Sequence, residues 1–236
     1  MSDFNPTATR ALLSRKVHAV KRRFLRERSK VFGLGFGKTG TTTLSTALEY
    51  LDYRALRWRN NRRTPYADLD LAQAQFDKHN LLPEVIQGLM QEMAHYDSTE
   101  DFPWPLYYAE LDARYPRAKF ILTTRDSGAW IRSCIQHFGT YSGRHERAPE
   151  RNRRENVLHH QRIFGEGMGN PIGHEAEWIR VYEAHNRDVI AHFAGRPEKL
   201  LVIDWSQHTN PWEPLCAFLD KSVPGVAFPR SNANPR

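Results

Sequence analysis

Between residues 33 and 44 the chain reads Gly33-Leu34-Gly35-Phe36-Gly37-Lys38-Thr39-Gly40-Thr41-Thr42-Thr43-Leu44, a composition suited to holding an anion. Glycines let a backbone turn with its N–H groups facing inward, and a helix beginning where the turn ends adds partial positive charge. Lys38 supplies a full charge and Thr41, Thr42 and Thr43 supply three hydroxyl donors. Gly37, Lys38, Thr39, Gly40, Thr41, Thr42 and Thr43 are therefore candidate ligands for a phosphate-like group. Capping and turn formation explain one threonine and a glycine or two, but not a lysine beside three successive threonines.

Spacing separates the chemistries that use such loops. A nucleoside-triphosphate loop, G-x-x-x-x-G-K-[ST], needs a glycine five residues before Gly37, where this chain has Phe32. Gly35, Gly37 and Gly40 satisfy G-x-G-x-x-G, and Asp52 offers a ribose carboxylate, but Lys38 has no part in a dinucleotide site. The third form is an apolar strand, then Gly-Lys-Thr-Gly-Thr-Thr, then an apolar helix. Further on, the run Phe120–Thr124 leads into Arg125, and Ser133 follows eight residues later. An arginine at a strand end forks onto phosphate, and a serine two turns into the next helix donates from the same side.

Together these motifs resemble the 5′-phosphosulfate loop and the 3′-phosphate Arg/Ser pair of sulfotransferases that use 3′-phosphoadenosine 5′-phosphosulfate (PAPS). The likeness extends to Asp101-Phe102-Pro103, Glu110-Leu111, Tyr115-Pro116, Arg125-Asp126 with Trp130, Trp212-Glu213-Pro214-Leu215-Cys216 and Phe228-Pro229-Arg230-Ser231-Asn232, covering about Val31 to Asn232. It is nearer the microbial sulfotransferase-like group than the cytosolic phenol and steroid enzymes. The resemblance implies a three-layer α/β fold of P-loop type, a mostly parallel sheet flanked by helices, with PAPS as donor and no metal. It also implies that Lys38 stabilises the departing phosphate oxygen and that Arg125 and Ser133 hold the 3′-phosphate. Ser127 stands where a proline commonly follows Arg-Asp, and the Lys-x-His-Leu-Pro segment carrying the cytosolic enzymes' basic histidine is absent. Asp101, 24 positions before Arg125, is the titratable residue nearest that histidine's place, with Glu110 and His95 in reserve.

The acceptor, a small molecule or a glycan or lipid, is not written in these motifs. Trp58, Trp104, Tyr107, Tyr108 and Trp130 can line a stacking cleft or fill a core. Arg54, Arg57, Arg59, Arg62 and Arg63 can attract an anionic acceptor or form a solvated face. The rival readings are a nucleotide kinase or NTPase, with Asp204 after Leu200–Ile203 holding magnesium, and a non-catalytic anion-binding module attached to a membrane surface.

Positioning these groups requires strands that end at the loops. Val31–Gly35, Tyr53–Leu56, Lys119–Thr124 and Leu200–Ile203 read as strands. Helices are expected over Thr42–Leu51, Pro83–His95, Leu106–Tyr115, Ala129–Phe138, Val157–Phe164, Glu175–Phe193 and Trp212–Leu219. Residues 139–156 are polar and Arg-rich, an expected exposed insertion or lid.

At 236 residues, 40% hydrophobic and 26% charged, with a mean hydropathy of -0.67, the chain suits one large domain (31–236) behind an arm (1–30). Two cysteines are too few for a disulfide scaffold or a four-ligand zinc site and suit a cytoplasmic protein. The net charge of +7 is concentrated: Arg10 to Lys30 holds nine basic residues and one acid, and the remainder sums to -1. Specific nucleic-acid binding is not expected from charge confined to an arm. Leu13, Val17, Val20 and Phe24 give that arm an apolar stripe, suited to docking on the main domain or to peripheral contact with an anionic membrane. Oligomeric state has no sequence signature here.

Overall fold

Five short strands lie parallel in the order β2-β3-β1-β4-β5: β1 (Val31–Gly33), β2 (Ala55–Leu56), β3 (Ser98–Thr99), β4 (Lys119–Thr123) and β5 (Leu200–Ile203). The computed structural model describes residues 29–56, 91, 93–139, 160–161 and 163–230. Residues 1–28, almost all of 83–92, the expected insertion beyond Gly139, the first residues of the helix expected from Val157, Trp58, the arginines at 57, 59, 62 and 63, and Asn232 lie outside the described residues. Lys30, counted with the basic arm, is built into the fold: its ammonium donates to the carbonyls of Met93 and Tyr96, each at 2.7 Å.

Among the described residues the complete helices are α1 (Thr41–Tyr50), α2 (Tyr108–Arg114), α3 (Ser127–Cys134), α4 (Glu175–His192) and α5 (Trp212–Leu219). Successive strand residues point to opposite faces. Phe32, Phe120, Leu122 and Leu200 meet Leu111 of α2 and Val189 of α4 on one side. Val31, Ile121, Leu201 and Ile203 meet Leu44 and Leu48 of α1 and Leu215 and Leu219 of α5 on the other. Three layers result, as the α/β reading requires.

β5 and α5 fall where the pattern places them, the other expected elements within the described residues shift by one to four residues at an end, and β3 has no counterpart in the sequence reading. Two differences have clear causes. The helix expected from Leu106 begins as a 3-10 turn at Trp104–Tyr107 and becomes α-helical only at Tyr108, with Pro105 in its first turn. The helix expected to run to Phe138 is α-helical to Cys134 and then widens into a π-helical turn over Ile135–Gly139.

The strand order has a functional consequence. The chain leaves β1 toward β2 on one side and leaves β4 toward β5 on the other, while β1 and β4 pair directly, Gly33 opposite Ile121. A crevice therefore opens between the C-terminal ends of β1 and β4, the usual ligand position in such sheets. The glycine loop lies at one lip and Arg125 at the other.

Candidate active site

The loop from Gly33 to Thr41 is set by close approach of backbone to neighbour. Thr39, buried, donates its hydroxyl to the Phe36 carbonyl at 2.7 Å and meets the Thr123 hydroxyl at the same distance, bracing the loop against the end of β4. Its side chain is thus engaged below the loop. Lys38 (φ 76°) and Gly40 (φ 95°) take left-handed conformations. For lysine this is uncommon, and it is a local strain of the kind that concentrates at functional sites. Gly40 is doubly required, because the Trp205 indole occupies the space where its side chain would be.

Gly40 caps α1 without a side-chain hydrogen bond, and the first helical bond runs from Leu44 N–H to the Gly40 carbonyl at 3.0 Å. The N–H groups of Thr41, Thr42 and Thr43 have no carbonyl a turn behind them within the helix, an arrangement that suits an anion. Thr41 and Thr43 are buried and Thr42 is exposed.

Across the loop, Asp101 follows β3 in a left-handed conformation (φ 69°). Its Oδ1 accepts from Phe102 N–H at 2.9 Å, and its Oδ2 lies 3.5 Å from the Thr41 hydroxyl. Burial raises the Asp101 pKa; the Phe102 hydrogen bond and the Lys38 charge oppose that rise without cancelling it. Burial likewise lowers the Lys38 pKa, aided by Arg125 and opposed by Cys134 and Asp101. A carboxyl tuned upward beside an ammonium tuned downward can exchange protons nearer neutrality than either would in water. The two reserves are elsewhere: His95 is exposed before the N-terminal end of β3, away from the loop, and Glu110 is exposed on the first turn of α2.

Arg125 directly follows Thr124 at the end of β4 and is exposed. Its N–H donates to the Tyr182 hydroxyl and its carbonyl accepts from the same hydroxyl, both at 2.9 Å. Asp126 caps α3 by accepting from Ala129 N–H at 2.8 Å. Ser127, the departure from Arg-Asp-Pro, donates its hydroxyl to Glu183 at 2.6 Å, fastening α3 to α4. Ser133, half-buried, lies in the last turn of α3.

An aromatic cluster supports both lips. Trp130 stacks on Tyr182 (centroids 4.2 Å apart, 12° between planes) and donates its indole N–H to the Gly37 carbonyl at 3.0 Å. Phe36 stacks on His185, whose Nε2 lies 2.8 Å from the Leu34 carbonyl. Behind them His160 is buried among Phe138, Phe164 and Trp178 and bonded to the Gly169 carbonyl, and burial lowers its pKa to about 4.

Burial and pairing bear on several alternatives that the sequence leaves open. Trp104, Tyr107 and Trp130 are buried and pack in the interior, so they do not line an open acceptor cleft, while Tyr108 is half-buried. Arg54 is paired with the buried Asp97, its Nε 3.0 Å from Oδ2. Asp204, directly after β5, accepts from Ser206 N–H at 2.9 Å and from its hydroxyl at 2.7 Å, capping the short turn at Trp205–Gln207. Tyr182, Glu183 and His185 went unremarked in the sequence because they sit inside an ordinary amphipathic helix. Their only signal is that three polar groups fall within one turn of α4. Among the described residues no group of three His, Cys, Asp or Glu side chains is arranged to hold a metal, and no helix is long and apolar enough to cross a membrane.

Residues 30–236 match a family described as the sulfotransferase domain. A protein of Aspergillus versicolor named Ava biosynthesis cluster protein M is 29% identical over 214 residues, which cover 85% of this chain and 79% of that protein.

Proposed function

Because the chain belongs to the sulfotransferase domain family, we propose that it transfers a sulfuryl group from PAPS to a hydroxyl or amine of a small-molecule acceptor. The observation that carries the donor assignment is the pairing of β1 with β4, which sets the Lys38 loop and Arg125 on the two lips of one crevice. Two anionic ends of one nucleotide can then be held at once, the 5′-phosphosulfate by the N–H groups of Thr41 to Thr43 and by Lys38, the 3′-phosphate by Arg125 with Ser133.

The donor supplies a sulfuryl group on a good leaving phosphate. Asp101 accepts the acceptor's proton as the acceptor oxygen or nitrogen bonds to sulfur. The bridging S–O bond breaks, its electron pair stays on the phosphate oxygen, and Lys38 stabilises that developing charge. The relative's name places that protein in a biosynthesis cluster, which supports a small organic molecule over a glycan or lipid as acceptor here.

A thermal-shift panel tests the reading. Adenosine 3′,5′-bisphosphate at 100 times its dissociation constant stabilises the protein by about 2.7 kcal/mol in EDTA, and ATP with Mg²⁺ does so weakly. Stabilisation by ATP that requires Mg²⁺, with no response to the bisphosphate, would establish the kinase alternative instead.

A further inference from the structure

We propose that Tyr182 is a positioning residue whose hydroxyl aims Arg125 at the 3′-phosphate and whose ring ties that aim to the glycine loop; this rests on the donor assignment above. The hydroxyl both accepts from the Arg125 N–H and donates to the Arg125 carbonyl, at 2.9 Å each, so one group fixes the peptide planes on either side of that residue. With both planes held, the direction in which the Arg125 side chain leaves the backbone is held as well. The side chain itself is exposed and long, and an arginine that must be oriented by its ligand forfeits much of its bidentate advantage to rotamer entropy.

The phenol can do this because it is rigid. Tyr182 is 1% exposed, stands on the 18-residue α4, and lies flat on Trp130, whose indole N–H holds the Gly37 carbonyl. Burial raises the Tyr182 pKa, which keeps the proton it donates to the Arg125 carbonyl. A continuous path of three hydrogen bonds and one ring stack thus joins Arg125 to Gly37, the residue before Lys38. Neither glycine loop nor strand end need be stiff by itself, since α4 sets their separation.

Titration calorimetry on the full chain separates this role from plain packing. Four proteins are compared: wild type, Tyr182→Phe, Arg125→Ala and the double variant, each with adenosine 3′,5′-bisphosphate and adenosine 5′-phosphate. Phenylalanine keeps the ring stack and removes only the hydroxyl. The expected result is that Tyr182→Phe loses about tenfold in affinity for the bisphosphate and less than twofold for the monophosphate, and costs nothing further once Arg125 is alanine. Equal losses for both nucleotides would mean that Tyr182 serves only the fold. Undiminished preference for the bisphosphate, or a loss that adds to that of Arg125→Ala, would also overturn the role. A wild type that binds the two nucleotides equally well removes the donor assignment itself, and this role with it, before any variant is considered.

Discussion

Thr123 occupies the space into which a side chain at Gly35 would project: a Cβ there would lie 2.0 Å from its Oγ1 and 2.5 Å from its carbonyl oxygen. The hydroxyl can rotate away, but the carbonyl belongs to β4 and cannot move without breaking the sheet. Gly35→Ala is therefore expected to cost about 2 kcal/mol or more and to abolish adenosine 3′,5′-bisphosphate binding. Gly37→Ala is the contrast. Its Cβ would meet Asp101 Oδ1 at an ordinary 3.5 Å, so the variant keeps the wild-type melting temperature while turnover falls. Equal thermal stability of Gly35→Ala and wild type would contradict the packing argument.

Lys38→Ala is expected to reduce sulfuryl transfer far more than it reduces binding of the sulfate-free bisphosphate. Charge on the bridging oxygen grows only as the S–O bond breaks, so the ammonium contributes most at the transition state. Comparing kcat with the calorimetric affinity checks this, and parallel losses in both would reduce Lys38 to an anchor.

Asp101→Asn divides activity from stability. Asparagine tolerates the left-handed backbone and can still accept from Phe102 N–H, but it takes no proton, so transfer should fall by roughly 10² to 10⁴ with donor affinity kept. The stability change has the opposite sign. Because burial raises the Asp101 pKa above its ordinary value of 3.8, the folded state holds the proton more tightly than the unfolded state. Stability contributed by this group is greatest at low pH and declines as pH rises through its folded pKa. Removing the charge should raise the melting temperature at neutral pH and leave it unchanged well below pH 3.8. A wild-type rate in Asp101→Asn would dismiss it as the base.

Acid stability should report on His160. Its pKa falls from 6.5 to about 4 on folding, so the unfolded chain binds the proton more tightly and stability is lost as pH drops through that window. The loss approaches roughly 3 kcal/mol. Chemical denaturation between pH 7 and pH 4 should show that slope in wild type and a shallower one in His160→Gln, irrespective of the variant's absolute stability. Identical slopes would locate the acid sensitivity elsewhere.

The glycine loop, β4 with Arg125, and the last strand and helix were legible because each is a local signal: turn residues against apolar runs, or an unbroken apolar stretch. β3 was not. Its two residues, Ser98 and Thr99, are polar, buried and flanked by Asp97 and Glu100, so no alternation marks them, yet they place Asp101 beside the loop. Asp101 was found only through its interval from Arg125, and its nearness to Lys38 and Thr41 emerges from strand order, which spacing does not encode. The inward turn of Thr39 was equally hidden, since its partner Thr123 lies 84 positions away. Aromatic residues stayed ambiguous for a related reason. A tryptophan that packs and one that stacks on a ligand look alike in sequence, and Trp130 does the former while bonding to Gly37.

The grip of α4 on the two lips also fixes when in its own synthesis the protein acquires a site. Leu34 and His185 are 151 positions apart, and Arg125 precedes Tyr182 by 57. At the ribosome's pace of about 5 to 20 residues per second, roughly 8 to 30 s separate the appearance of the glycine loop from that of the helix residues that hold it. Throughout that interval the nascent chain carries the anion-binding motif without its brace. By the time Tyr182 and His185 are made, more than three-quarters of the 236 residues have been synthesised without that brace.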